Sequence, residues 1–369
     1  EVIERPASVV KELLENSIDA LSSRIELDLV EGGSELIRIS DDGEGIHPDD
    51  MLLAVSSHAT SKIETDDDLF SVKTMGFRGE ALASIASVSQ FRLRSRQEES
   101  HQAHELKVDG GRIAPVSPAA GPPGTLIEVR NLFANTPVRR KFLKTKSTEF
   151  GHVTEQFTRI ALANPNLHLV LRHNNKTTYE LPATQHLPER IRKFHGDELT
   201  RNLIPVEGNL GEMRLWGYVA HPSQHKPNRK GQYLFLNGRW ITDRTISAAL
   251  SEAYRGLMMV GRQPIVFLFL EVPSGDVDVN VHPCKWEVRF RDSQQIYRLV
   301  LATIRDRFLG MDLNAQVSGE DGKLSAAPED PEKQQLKLEL ANWAKTELAG
   351  EVARHGDVPP QPVTPAYIP

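Results

Sequence analysis

After Pro6, apolar residues recur at helical spacing (Val9, Val10, Leu13, Leu14, Ile18), which predicts a helix opening at the proline. The period then falls to two. Arg24 to Leu29 and Leu36 to Ser40 alternate apolar with polar, which predicts a strand pair about the Gly32-Gly33 turn. Glu80 to Val88 reads as a small-residue helix. Phe91 to Ser95, Glu105 to Val108 and Thr125 to Arg130 read as strands, with Asp109-Gly110 marking a hairpin. Thr136-Pro137 opens a basic helix, and Thr148 to Leu162 forms another. Such a mixture predicts an α/β layer fold, helices covering a sheet.

A second domain is expected to begin near Arg190 to Leu203. Tyr233 to Leu236 and Trp240 to Thr242 flank Asn237-Gly238, a strong hairpin signal. Thr245 to Leu257 predicts a helix and Pro264 to Val272 a buried strand. Val277, Val279 and Val281 alternate with polar residues, and Ser293 to Leu309 predicts an amphipathic helix. Beyond Gly310 the composition turns linker-like, with Leu336 to Val352 as a short helix at most. The expected organisation is 1–190, 191–310 and a Pro-rich acidic linker over 311–369, in line with the two or three domains that 369 residues suggest.

Composition narrows the class. No run of about 18 apolar residues exists, so no membrane-spanning helix and no membrane partner are expected. The opening EVIERPASVV lacks a signal core. The single cysteine, Cys284, permits neither an internal disulfide nor a cysteine-based zinc cluster, so a cytoplasmic protein is expected. The net charge of −6 is unevenly spread: −6 over 1–199, +5 over 200–310 and −5 over 311–369. A basic middle segment is either an electrostatic footprint for a polyanion or ordinary solvated surface.

Four stretches carry candidate chemistry. In Glu12-Leu-Leu-Glu-Asn16, Glu12 and Asn16 are one helical turn apart on one face. A carboxylate there can take a proton from an attacking water, and an amide oxygen is a hard ligand suited to Mg²⁺; a solvated helix face is the plainer alternative. In Asp41-Asp42-Gly43-Glu44-Gly45, two glycines let backbone approach a ligand beside a carboxylate able to accept from an exocyclic amine. The alternative is an ordinary turn. Gly76-Phe77-Arg78-Gly79-Glu80-Ala81-Leu82 opens onto a helix former run, an anion cradle or simply a cap. It is no Walker loop, because G-x-x-x-x-G-K-[ST] is absent from the chain. His58 to Ile63 and the acids Asp66 to Asp68 suggest a lid. Finally, Lys285 in VHPCKWEVRF follows a strand and a proline turn that would present it at a loop tip.

Together these motifs are specific in order and spacing. VIERPASVVKELLENSIDA, DDGEGI, HATSKI, GFRGEALASI, GTLIEV, LFANTPVRRKFL, LNGRWITDR and DVNVHPCKWEVRF resemble the GHKL ATPase superfamily and, within it, the bacterial MutL mismatch-repair proteins. The resemblance implies a Bergerat-type α/β sandwich (an α+β arrangement), then a domain like ribosomal protein S5 domain 2 with a left-handed βαβ unit. It implies ATP and Mg²⁺ as cofactors. Glu12 would be the general base, Asn16 the metal ligand, and Asp41 the adenine reader with Gly43, Gly45 and Thr125. Thr60 and Lys62 would lie in the lid, Gly76 to Leu82 around the triphosphate, and Lys285 on the γ-phosphate. ATP would close the lid and dimerise these domains into a DNA clamp that slow hydrolysis reopens. The clamp would couple a mismatch-recognition protein of the MutS kind to a downstream nuclease or helicase at the nucleoid.

Sequence-independent DNA contact is expected near LNGRWITDR, at Arg244 and Arg239, followed by Arg214 and Lys230. Relative to the family, chain is missing before EVIERP and after the proline-rich tail, so the sequence is expected to be an ATPase region with the start of its linker. The alternatives are a nucleotide-dependent scaffold with negligible turnover, or another GHKL member such as a topoisomerase subunit, chaperone or histidine kinase. The kinase is disfavoured because a histidine-bearing helix should precede Glu12.

Overall fold

The computed structural model describes residues 3–56, 80–278 and 288–311. Helix α1 (Pro6–Asp19) starts where the proline presets φ, and the amides of Ser8 and Val9 bond back to the Arg5 carbonyl. Its predicted apolar stripe is its core face: Val9, Val10, Leu13 and Leu14 are all buried. Strands β1 (Arg24–Val30) and β2 (Leu36–Asp41) pair antiparallel through the glycine turn, Leu29 opposite Ile37. Next come α2 (Met51–Ala54), α3 (Ala81–Ser87), β3 (Gln90–Arg96), β4 (Ala103–Asp109), β5 (Arg112–Ile113), β6 (Ser117–Ala119) and β7 (Gly124–Arg130). Helices α4 (Pro137–Phe142) and α5 (Lys146–Ala163) lead to β8 (His168–His173) and β9 (Lys176–Leu181).

These strands form one sheet in the order β5-β4-β3-β7-β2-β1-β8-β9, with β6 also on β4. Every pairing is antiparallel except β1 with β8, which joins Ile25 to Leu169 in parallel register. Helices α1 and α5 pack together on the sheet. Val153, Phe157 and Ala161 of α5 meet the α1 stripe and Ile25, Leu27, Ile37 and Ile39. Each such side chain stabilises the fold by about 1.5–3 kcal/mol relative to exposure.

The second sheet follows α6 (Leu187–Arg201), whose helical geometry breaks at Gly196. It is built from β10 (Leu203–Leu210), β11 (Met213–Ala220), β13 (Gln232–Leu236), β14 (Arg239–Ile241) and β16 (Val266–Glu271), in the order β10-β11-β16-β13-β14. Two short pairings lie outside it, β12 (His225–Lys226) with β15 (Gln263–Pro264) and β17 (Val277–Asp278) with β18 (Arg289–Phe290). β13 and β16 run parallel, linked through β14 and α7 (Arg244–Ala253), which makes a βαβ unit. Helix α8 (Ser293–Leu309) packs on α7 and β10. Among the described residues no helix is long and apolar enough to cross a membrane.

The structure differs from expectation in three places. Helix α5 starts two residues early because the Thr145 side chain caps the Thr148 amide. Helix α7 ends at Ala253 rather than Leu257. α2, β6, β8, β9, β10, β11, β12, β18 and α6 have no counterpart among the predicted elements.

Two features join the halves within this unit. Arg190 of α6 is buried, and its Nη2 donates to the carbonyls of Pro165 (2.7 Å), Leu167 (2.7 Å) and Pro182 (3.0 Å). On β14, the Trp240 ring receives the Arg159 guanidinium of α5, 3.4 Å from the ring centroid.

Candidate nucleotide site

Asp41 stands at the end of β2, opposite Thr125 of β7 and beside the C-terminal half of α1. Three donors converge on its carboxylate. Ser17 Oγ donates to Oδ2 at 2.7 Å, and the amides of Gly43 and Thr125 donate to Oδ1 at 3.1 and 3.2 Å. Burial pushes this carboxyl above its ordinary range, while the Ser17, Gly43 and Thr125 bonds hold it down and Asp42 adds to the rise. An ionised carboxylate offers about four acceptor positions, so one remains for an incoming N–H.

The surrounding loop leaves no room for side chains. A Cβ on Gly45, at φ +74°, would lie 2.4 Å from the Arg96 carbonyl. A Cβ on Gly124, at φ +103°, would fall 2.0 Å from the carbonyl of Asp41 itself. Glu44 N bonds to the Ala20 carbonyl, which ties the loop to the end of α1. The rest of the wall is hydroxyl. Ser95 Oγ donates to the Gly124 carbonyl at 3.0 Å, accepts from Ile46 N at 2.8 Å and lies 2.9 Å from Thr125 Oγ1. Asp42 does different work, accepting from the amides of Ser23 and Arg24 at 2.8 Å each to close the β1 start.

On α1, Glu12 is buried and Asn16 half-buried, one turn apart as predicted. Lys11 Nζ donates to Glu12 Oε1 at 2.9 Å and Glu15 Oε2 at 3.0 Å. Burial alone would lower the Lys11 ammonium, but Glu15 and Glu12 outweigh it and raise it above its ordinary range. Ser17 puts α1 in direct contact with Asp41, so the helix that carries Glu12 and Asn16 also anchors the β2 carboxylate. Glu80, Ala81 and Leu82 are half-buried at the start of α3, with Leu82 packed against the first core. Thr60, Lys62, Gly76, Phe77, Arg78, Gly79 and Lys285 lie outside the described residues, as do the lid stretch, Cys284, Val279, Val281 and the tail from 312.

Sequence reading missed Ser17 and Ser95. Ser17 carries a signal in retrospect, a hydroxyl on the buried face of a helix otherwise lined by Val and Leu. Ser95 carries none until β3 is paired with β7, when it falls opposite Thr125.

The basic candidates scatter. Arg244 is exposed at the first residue of α7 and pairs with no carboxylate among the described residues. Lys230 is exposed in the turn that Asn228 caps. Arg214 is tied to Glu207 at 2.9 Å. Arg239 is turned inward, where burial lowers its guanidinium and Glu15 and Asp19 of α1 oppose that fall. A separate concavity of about 730 Å³ lies between β10 and α8 and shares no residue with the Asp41 cluster.

Comparison with known proteins places this arrangement. Residues 3–114 match the family model described as histidine kinase-, DNA gyrase B- and HSP90-like ATPase. Residues 191–309 match the one described as DNA mismatch repair protein, C-terminal domain. The chain is 42% identical to the DNA mismatch repair protein MutL of Syntrophotalea carbinolica, over 97% of this chain and 58% of that protein. It is 48% identical to MutL of Xanthomonas oryzae, over 83% and 49% respectively. The chain thus spans about half the length of the curated relatives it matches. Among solved structures, the Aquifex aeolicus MutL ATPase domain complexed with ADP is 30% identical, with a TM-score of 0.55, over 81% of this chain and 98% of that one. Family models, sequence identity and near-complete coverage of that ATPase domain agree: the chain belongs to the MutL family of DNA mismatch repair proteins, within the GHKL ATPases.

Proposed function

We propose that this chain binds ATP at the Asp41 cluster and hydrolyses it with Glu12 as general base, to drive a DNA clamp in mismatch repair. The observation that carries the reading is the buried Asp41 carboxylate, fixed by three donors and keeping an acceptor position for adenine's amino group. The ADP bound to the Aquifex relative supports it. Gly43, Gly45 and Thr125 shape that end of the pocket, and Glu80, Ala81 and Leu82 contribute amides at the phosphate end together with Gly76 to Gly79 and the lid residues Thr60 and Lys62. Lys285 would meet the γ-phosphate from the second domain.

The donor set also suits Mg²⁺. Among the described residues no group of three or more His, Cys, Asp or Glu is arranged for a metal, which leaves Asn16 as the hard oxygen donor on the Glu12 face. A single amide oxygen fits an ion that keeps its waters and is otherwise held by phosphate. Bound there, Mg²⁺ would neutralise charge developing on the transferred phosphoryl group. Glu12 orients a water and accepts its proton; Lys11 holds the carboxylate still.

A lysine contact present with ATP and absent with ADP is worth about 1.5–3 kcal/mol. That is enough to bias lid closure and pairing of two such domains, reset by slow turnover. DNA would lie along the second sheet, led by Arg244. A cation at the positive end of α7 gains nothing from the helix dipole, so folding does not account for it. Lys230 joins it, with Arg214 and Arg239 behind because each already faces carboxylates. In the whole protein, a mismatch-recognition partner of the MutS kind and a downstream nuclease or helicase would act through this clamp.

The test is Glu12→Ala. The variant should bind a non-hydrolysable ATP analogue as the parent does and lose turnover. Normal turnover would refute the base assignment.

A further inference from the structure

On α1, Lys11 and Glu15 stand one turn apart and share a face, while Glu12 shares the next face with Asn16. Adjacent helical residues such as Lys11 and Glu12 do not point at each other. Lys11 nevertheless reaches both acids. Its Nζ donates to Glu15 Oε2 at 3.0 Å and to Glu12 Oε1 at 2.9 Å. The side chains of Lys11, Glu12 and Glu15 keep only 22%, 10% and 14% of their surface exposed. A lysine stem is flexible and its ammonium has three donors, so one bond anchors the group while another is aimed. Here Glu15, at the spacing where helical side chains meet, is the anchor. Burial would lower this ammonium, but Glu15 and Glu12 outweigh it, so the group stays charged. Among the described residues no donor is bonded to Glu12 Oε2.

We infer that Lys11 is a positioning residue whose ammonium, aimed by Glu15, occupies Glu12 Oε1 and reserves Oε2 as the oxygen that takes the proton. A carboxylate that rotates about its last bond presents either oxygen in many directions. Held at Oε1 by a group that is itself anchored, it presents Oε2 in one, which is the orientation a general base needs. The attacking water then bonds to the γ-phosphorus through its oxygen and gives its proton to Oε2. The bond from the γ-phosphorus to the bridging oxygen breaks, and ADP leaves with that electron pair. Nucleotide recognition at Asp41 is anchored separately, by Ser17, Gly43 and Thr125, so the effect of Lys11 falls on turnover and not on affinity.

The inference rests on Glu12 being the base, and the experiment separates the two. Single-turnover ATP hydrolysis, binding of a non-hydrolysable analogue and thermal melting are measured for the parent and five variants. These are Glu12→Ala, Lys11→Met, Lys11→Arg, Glu15→Ala and the double variant Lys11→Met with Glu15→Gln. Lys11→Met keeps the apolar stem without the charge and should slow hydrolysis roughly tenfold, with analogue affinity within about twofold. Lys11→Arg still bridges both acids and should recover most of the rate. Glu15→Ala keeps the ammonium but not its anchor, and should slow hydrolysis by roughly threefold. The double variant removes the repulsion between two acids that Lys11→Met leaves, but not the loss of orientation, so it should hydrolyse as slowly as Lys11→Met. A parent-like rate in Lys11→Met or Glu15→Ala, or an equal loss of rate and affinity, overturns the inference. So does a double variant near the parent rate, because charge balance and not orientation would then be what Lys11 supplies. If Lys11→Met fails to fold, the double variant alone decides it by the same criterion. Should Glu12→Ala hydrolyse normally, the base assignment fails; should it be inactive while Lys11→Met is unimpaired, only the role of Lys11 fails.

Discussion

Asp41→Asn separates recognition from stability. The amide oxygen can replace Oδ1 and still accept from Gly43 and Thr125, while Ser17 Oγ can turn to accept from the new amide nitrogen. The fold therefore keeps its three bonds. What changes is the position facing the ligand, where a donor would meet adenine's own donor. Loss of one charge-assisted hydrogen bond is worth about 1.5–3 kcal/mol, or roughly 10- to 150-fold in affinity. Stability should move the other way. Because burial raises this carboxyl in the folded state, its contribution is fully present below the ordinary carboxylate range. It is lost as pH rises through the raised value, so at pH 7 the ionised group detracts from folding. The variant should thus show a nucleotide-free Tm equal to or above the parent's at pH 7, the gap closing as the pH drops toward about 4. Titration calorimetry with a non-hydrolysable analogue and scanning calorimetry without nucleotide give both readings. Affinity within threefold of the parent, or a Tm lower by several degrees, would refute the reasoning.

Other outcomes follow from the same geometry. Arg190→Ala removes a buried side chain that donates to three carbonyls, that of Leu167 buried with it, and should cost about 2–4 kcal/mol, read as a lower denaturant midpoint. His195 lies edge-on to Tyr233 and Phe267 with Nε2 buried and unpartnered, and burial, helped by Lys226, lowers it to about 4. Stability should therefore decline as pH falls from about 6.5 toward 4, by on the order of 2 kcal/mol after discounting for partial exposure, and His195→Leu should flatten that decline in acid titrations of Tm. Arg244→Glu should weaken DNA binding, with a shallower salt dependence, and spare nucleotide binding; unchanged DNA affinity at low salt would remove it from the interface.

Local pattern made some elements legible and hid others. Helix α1 was readable because a 3.6-residue stripe coincides with its core face. Asn237-Gly238 predicted its hairpin because both residues take the positive φ that a two-residue turn requires. Strands β10 and β11 were not predicted, and each holds a residue that strands disfavour, Pro205 and Gly217. Pro205 sits in β10 at the edge of the sheet, and Gly217 lies where a Cβ would strike the Phe267 carbonyl. At the site, Glu12, Asn16 and Asp41 were legible as residue types at useful spacing. Their convergence was not, because Ser17 to Asp41 and Asp41 to Thr125 are contacts between distant segments. Arg239 shows the limit most clearly. An arginine in a hairpin reads as surface, and only the packing of β14 against α5 shows that it is largely buried.

The parallel pairing of β1 with β8 has a consequence for how the chain is made. The apolar stripe of α1 is covered by α5 and a sheet completed only by residues 168–181. At translation speeds of 5–20 residues per second, that stripe waits roughly ten to thirty seconds for its cover to leave the ribosome. The helix that carries Glu12 and Asn16 is thus synthesised well before the residues that bury it, and through that interval Val9, Val10, Leu13 and Leu14 are a natural docking point for a nascent-chain chaperone.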